Sequence, residues 1–380
     1  VLSSGAASAQ PPPVVVGMVL PQSGQLADLA ADLGRGLQLW QQEVNASGGL
    51  LGRRVELRLE DDASESAASV RLYEKLVKQG GADLLVGPFG SAASVGAAAV
   101  AERNHRVLVN ATGTARSVHR KSPRWVFQVP APLASYSSGA LELARRMELE
   151  RVLIVARNEL LAREKAERAR EQAHKLGLET GELLAFTPGA RDFDQEVARA
   201  RATGAQAWIA FGSAQDAAEM VKSLRKANFA PQLFVAEGAD EARFIRLVGQ
   251  DAEQAIGISP YEPRAATRGN AQFAGAYAKQ WSAPPTHLAA AGYAAGKVLE
   301  EAVERAGSLE QEKVRAALAA LETETPLGPY RVDRAGAQFA AAPLLVQIQK
   351  GKREIVWPEA LATAKPQLPY AAWSDRKPMQ

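Results

Sequence analysis

The sequence contains no cysteine and only four histidines among its 380 residues. The first absence excludes disulfides, thiolate metal sites and cysteine nucleophiles. The histidines, His105, His119, His174 and His287, stand far apart and none falls in a metal-ligand spacing, so each is expected on the surface or in a loop and no metal site is expected. There is no apolar run of about eighteen residues, the length a membrane-spanning helix needs. The phosphate-binding pattern G-x-x-x-x-G-K-[ST], the G-x-S-x-G elbow and the H-E-x-x-H zinc motif are all missing. No basic block with interleaved aromatics occurs either, so nucleic acid is not an expected partner. After the first apolar run the loop reads Pro21-Gln22-Ser23-Gly24, and Gly34-Arg35-Gly36 lies inside a helical pattern. That is not the glycine spacing of a dinucleotide-binding turn, and no cofactor is expected.

What is present describes a globular protein of two ordinary domains. Apolar residues make up 47% and charged residues 23%, with a net charge of +3 from nearly balanced acids and bases, so a full core is affordable without disulfides. Ala7-Ser8-Ala9 before Gln10 fits a small-x-small signal-peptidase site, so residues 1–13 read as a signal-peptide remnant and linker, and export is expected. Pro11-Pro12-Pro13 reads as a stiff spacer.

From Val14 onward, strand and helix patterns alternate. Val14–Leu20 is a continuous β-branched and apolar run, as in a strand covered on both faces. Residues 28–44 then repeat apolar positions at helical spacing, and Gly48-Gly49 stops that helix. The pattern recurs through strands at 54–59, 82–86, 107–110 and 126–129, with helices between. After Pro130 a second series begins, with strands at 151–155, 182–186, 207–211, 233–236 and 255–258. Such alternation predicts parallel sheets with helices on both faces. Three further helices lie between 268 and 321, and a hairpin turns at Lys350-Gly351-Lys352. The stretch 358–380, rich in proline and polar residues, is expected to wrap the surface or to be disordered.

Leu84 to Ser94 is the stretch best suited to touch a ligand. A buried strand breaks at Gly87-Pro88 and restarts as a helix of small residues, with Ser91 placed to cap its first turn. The N–H groups of such a turn form an anion site. Asp61-Asp62, at another strand end, reads as a turn and helix cap rather than as a metal site.

The sequence also resembles a known family. Val16-Gly17-Met18-Val19-Leu20-Pro21-Gln22-Ser23-Gly24, Gly34-Arg35-Gly36-Leu37, Glu43 to Arg53 and Leu59-Glu60-Asp61-Asp62 look like the opening of the leucine/isoleucine/valine-binding proteins. These are periplasmic solute-binding receptors of ABC importers. Val86-Gly87-Pro88, Gly189 to Phe193, Glu237-Gly238 and Gly328-Pro329-Tyr330 extend the likeness to about residue 350. It implies an α/β type I periplasmic-binding fold: two Rossmann-like lobes with parallel central sheets joined by three crossovers. Lobe 1 is expected from 14–130 plus 261–328, and lobe 2 from 131–260 plus 329–357. The resemblance further implies a periplasmic, monomeric, non-enzymatic receptor. It would bind a small solute in the inter-lobe cleft with hinge closure and pass it to the membrane subunits of an ABC permease.

In the amino-acid-binding members, loops matching Ser91 and Ala111-Thr112-Gly113-Thr114 hold the ligand carboxylate and part of its ammonium, and Glu237 matches the acid that pairs with the ammonium. Keeping a carboxylate buried there makes sense only if the ligand, or a neighbouring base, brings positive charge. Two departures stand out. Leu161 replaces a frequent tyrosine, and Ser213-Ala214 replaces an aromatic. They leave Arg157, Asn158 and Phe211 as contacts and point to another amino acid, a small amide or an aromatic acid. Two other readings keep parts of this picture: a ligand sensor acting through a signalling partner, and a hydrolase using Ser91 or Ser23, which would need a nearby histidine or lysine base.

Overall fold

A computed structural model describes residues 11–375; the proposed signal-peptidase site at 7–10 lies outside the described residues. In chain order the first leg holds β1 (Val14–Val19), α1 (Ala27–Ala46), β2 (Val55–Glu60), α2 (Ala68–Lys78), β3 (Leu84–Val86), α3 (Ser91–Asn104), β4 (Leu108–Asn110), the short α4 (Arg116–His119) and β5 (Val126–Gln128). The second leg holds α5 (Ser138–Arg146), β6 (Arg151–Arg157), α6 (Leu160–Lys175), β7 (Glu179–Thr180), β8 (Leu184–Phe186), α7 (Asp194–Thr203), β9 (Ala207–Phe211), α8 (Ala214–Lys226), β10 (Leu233–Ala236), α9 (Ala242–Val248) and β11 (Ile256–Ser259). There follow α10 (Asn270–Trp281), α11 (His287–Ala306), α12 (Gln311–Ala319), β12 (Thr323–Thr325) and β13 (Gly328–Tyr330), and finally β14 (Leu344–Gln349) and β15 (Lys352–Trp357).

These elements form two compact units. The first runs to Pro130 and resumes at Arg268–Ala340; the second takes Ala131–Thr267 and the chain from Ala341 on. The chain therefore crosses three times. The second and third crossings come later than the expected 260/261 and 328/329. Tyr261 and Glu262 stay with the second unit because both accept from the Ser259 hydroxyl, at 3.0 and 3.1 Å. Residues after 328 stay with the first unit because the Gln128 N–H donates to the Gly336 carbonyl at 2.9 Å.

The first unit's sheet has the order β2-β1-β3-β4-β5, with every neighbouring pair parallel. Val14, Val16, Met18 and Val19 of β1 are fully buried, as the unbroken apolar run requires. Helix α1 lies against α11, and glycines set how closely. A Cβ built on Gly36 would fall on the Ala289 carbonyl, and one on Gly292 would fall on the Leu33 carbonyl. Polar bonds lock the pair: the Tyr293 hydroxyl donates to Glu43 at 2.6 Å and the Trp40 indole to Glu300 at 2.8 Å.

The second unit's sheet runs β15-β14-β11-β10-β9-β6-β7, with β8 also on β6. From β11 to β7 it is parallel, while β14 and β15 form an antiparallel edge. The tail beyond Pro358 is ordered against this unit through residue 375. Tyr370 is 3% exposed and packs at a tilt against Phe234, ring centroids 5.5 Å apart, and the Trp373 indole donates to the Phe229 carbonyl at 2.8 Å. Its aromatics, which composition alone does not weigh, make the difference from disorder.

Candidate functional site

In an open parallel sheet, ligands are met beyond the carboxyl ends of the strands. In the first unit the loops leaving β3 and β4 are fastened together there. The Thr112 hydroxyl donates to the Pro88 carbonyl at 2.6 Å and accepts from the Gly90 N–H at 2.9 Å. The Ser91 hydroxyl accepts from the Ala115 N–H at 3.2 Å, and Asn110, fully buried, holds both the N–H and the carbonyl of Gly113 at 2.8 and 2.7 Å. Ser91, Ala111, Thr112, Gly113 and Thr114 are thus brought into one cluster. Ala111 and Gly113 are buried, while Ser91, Thr112 and Thr114 are half-buried.

Ser91 does not cap the helix as expected. It is the first helical residue of α3, and Gly90, at φ +85°, holds the N-cap position that a side chain would find strained. Among the described residues no side chain caps the start of α3. Uncapped N–H donors of this kind, reinforced by the helix dipole, attract a carboxylate.

The loops leaving β1 and β2 are joined in the same way. Asp61 accepts from the Ser23 hydroxyl at 2.7 Å and from the N–H groups of Gln22 and Ala63 at 2.8 and 2.9 Å. These bonds hold its carboxyl down to about 2, against 3.8 ordinarily. Because the folded value is depressed, the clasp is present at neutral pH and is lost as pH falls from about 3.8 through about 2. Ser23→Ala removes the leading cause, so carboxyl-detected NMR titration should show Asp61 moving up toward its ordinary value; an unchanged midpoint would mean the hydroxyl does not carry the shift. The Asp62 carboxylate accepts from the Ser64 N–H at 3.0 Å, a turn role, and no cluster of metal-ligating side chains occurs among the described residues. The Ser23 hydroxyl donates to Asp61 and the Ser91 hydroxyl accepts from the Ala115 N–H; among the described residues neither is hydrogen-bonded to a histidine or a lysine.

In the second unit Glu237 follows β10 directly, and its N–H bonds to the Ala210 carbonyl at 2.9 Å. Its carboxylate forms an ion pair with Lys165 of α6. That lysine is 8% exposed, and its Nζ stands 4.3 Å from the ring centroid of Tyr136. Burial, with Glu237 beside it, raises the Tyr136 phenol above its ordinary value, so it is neutral at any physiological pH. Arg157, the last residue of β6, pairs with Asp216 at 3.0 Å and with Glu159 at 3.3 Å. Asp216 in turn closes a capping box with Ser213 at the start of α8. Asn158 is exposed and accepts from Arg163 at 3.2 Å. Phe211 is fully buried in the core beneath this edge, where the apolar end of β9 packs, and offers no open face. Leu161 is exposed, as is Leu160 beside it.

Lys165 and Tyr136 were not among the expected residues. Lys165 sits in a helix crowded with charges, and only its spacing from Leu160, one and a half turns inward, could have placed it on the sheet side.

The periplasmic binding protein family matches residues 13–353. The chain belongs to that family. Among its curated members it is 24% identical to the amino acid binding protein of Pseudomonas aeruginosa over 59% of this chain and 60% of that one, so the alignment spans about three-fifths of that relative. It is 22% identical to Leu/Ile/Val-binding protein homolog 3 of Brucella melitensis, over 80% of this chain and 82% of that one. An ABC transporter substrate-binding protein from Desulfitobacterium hafniense, solved in complex with Leu, superposes with a TM-score of 0.74 at 20% identity, covering 90% of this chain and 99% of that one. A solute-binding protein from R. palustris in complex with benzoate does so with a TM-score of 0.70 at 20% identity, covering 97% and 99%. At such identities the likeness is one of fold, the type I periplasmic-binding fold.

Proposed function

We propose that the protein is an extracytoplasmic solute-binding receptor of an ABC importer, and that it holds a small carboxylate at the carboxyl ends of its two sheets. The observation that carries this reading is the fastened pair of loops after β3 and β4, which present uncapped N–H groups of α3 beside the Ser91 hydroxyl. Preset donors of this kind bind an anion without reorganising. Glu237 and Arg157 supply the second unit's part, with Asn158 at its rim and Phe211 supporting it from below. The two units close on the ligand by a hinge at the three crossings, and the loaded form docks on the permease.

A thermal-shift screen over amino acids, amides and small organic acids tests this. A ligand at a thousandfold excess over its Kd stabilises the protein by about 4 kcal/mol. Ser91→Ala should weaken binding of that ligand at least tenfold while lowering the unliganded stability by only the loss of one hydrogen bond, about 1 kcal/mol. Undiminished affinity in Ser91→Ala would sink the site, and turnover of the ligand would sink the receptor reading.

A further inference from the structure

Among the described residues every buried acid at the second unit's edge already has a basic partner: Asp240 and Glu262 share Arg353. Glu237, the carboxylate best placed to meet a cationic ligand group, is already paired with Lys165 of the same chain. That cation is held on its other side by the Tyr136 ring, 4.3 Å away, so it is fixed in place rather than swinging into solvent. Asp216 is likewise occupied, by Arg157 at 3.0 Å. A ligand ammonium arriving at Glu237 would lie against the Lys165 ammonium, and two like charges at such a site repel strongly in a poorly solvated setting. Glu241, the nearby acid with no ion pair among the described residues, is exposed, where pairing with an ammonium contributes little.

The first unit agrees with this. The Thr112 hydroxyl has its proton committed to the Pro88 carbonyl and accepts from the Gly90 N–H, so it has no proton to give a ligand and a single lone pair left to offer an ammonium. Meanwhile the uncapped N–H groups of α3 still call for a carboxylate. At the start of α6, the helix that carries Lys165, Leu160 and Leu161 are 76% and 40% exposed. Leucines exposed there leave the rim of the site open to an apolar ligand body.

We infer that the ligand is a monocarboxylate with an aliphatic or aromatic body and no α-ammonium group, because Lys165 occupies the charge that an amino acid would need. This rests on the receptor reading above, and deepens it. Isothermal titration with matched pairs tests it: leucine against 4-methylpentanoate, and phenylalanine against 3-phenylpropanoate, with benzoate as a rigid member.

At least one des-amino acid should bind ten or more times tighter than its amino partner. Lys165→Met frees Glu237 and should move that ratio at least tenfold toward the amino acid. Lys165→Met combined with Glu237→Gln, which leaves no charge to satisfy, should restore the original preference. Because the readout is a ratio of affinities within each variant, a loss of stability does not mimic it. Tighter binding of leucine or phenylalanine by the unaltered protein overturns the inference while leaving the receptor reading intact. Binding of no member of either series overturns both. Should Lys165→Met fail to fold, the matched pairs on the unaltered protein decide alone.

Discussion

Gly292→Ala should lower the stability of the first unit by about 2 kcal/mol, although alanine is the better helix former by about 1 kcal/mol. The added methyl has nowhere to go, since it would land on the Leu33 carbonyl of α1, and backbone cannot rotate aside as a side chain can. Either α11 is pushed off α1, loosening the Tyr293–Glu43 and Trp40–Glu300 bonds, or the helix bends. Calorimetry should show the first unit's transition falling by roughly 4–8 °C. The matched control is Gly275→Ala in α10, an exposed helical glycine with nothing within 4 Å of an added Cβ. There only the propensity term operates, and stability should rise by up to about 1 kcal/mol. If both substitutions stabilise, the close approach of α1 and α11 is wrong.

The second large effect belongs to the buried ion pair. Glu237→Gln leaves Lys165 as a buried cation facing an amide and an aromatic ring, and stranding one partner of such a pair costs about 3 kcal/mol. Lys165→Met strands the carboxylate instead, at a somewhat smaller cost because the Glu237 side chain is 22% exposed and keeps some water. The double replacement should recover most of the loss, since neither charge then needs a partner. Denaturant midpoints of the four proteins close a double-mutant cycle, and a coupling energy of about 2 kcal/mol is expected. Coupling near zero would mean that the two groups do not pair in solution.

The alternation of strands and helices was readable because both sheets bury their strands on two faces. Ala207–Phe211, Leu233–Ala236 and Leu344–Gln349 lie where their apolar runs put them. Arg116–His119 was not read as a helix, because one turn is too short to show a period. The antiparallel character of β14 and β15 was announced by the Lys350-Gly351 turn, but no local signal says that they attach to β11. The cluster around Ser91 was legible through its glycine, its serine and the family likeness. Its wiring was not: whether Gly90 or Ser91 caps α3 is decided by the backbone at Gly90, and the engagement of Thr112 needs β3 and β4 to be neighbours. Glu237 is recognisable as an acid in need of a counter-charge, yet little in the sequence beyond its spacing from Leu160 tells Lys165 from the seven other ionisable residues at 159–171.

The nesting of the two units has a consequence for biosynthesis. Helix α1 emerges from the ribosome early, but the glutamate it offers to Tyr293 waits 250 positions for its partner, and β14, which edges the second unit, follows later still. The first unit cannot complete its core until α11 is made, whereas the second unit draws its core almost wholly from residues 140–258 and takes only its edge strands and tail from the later chain. Contacts so distant in sequence make folding slow, because loop closure comes before its reward. The first unit therefore stays incomplete through the synthesis of the whole second unit, which can gather its own sheet first.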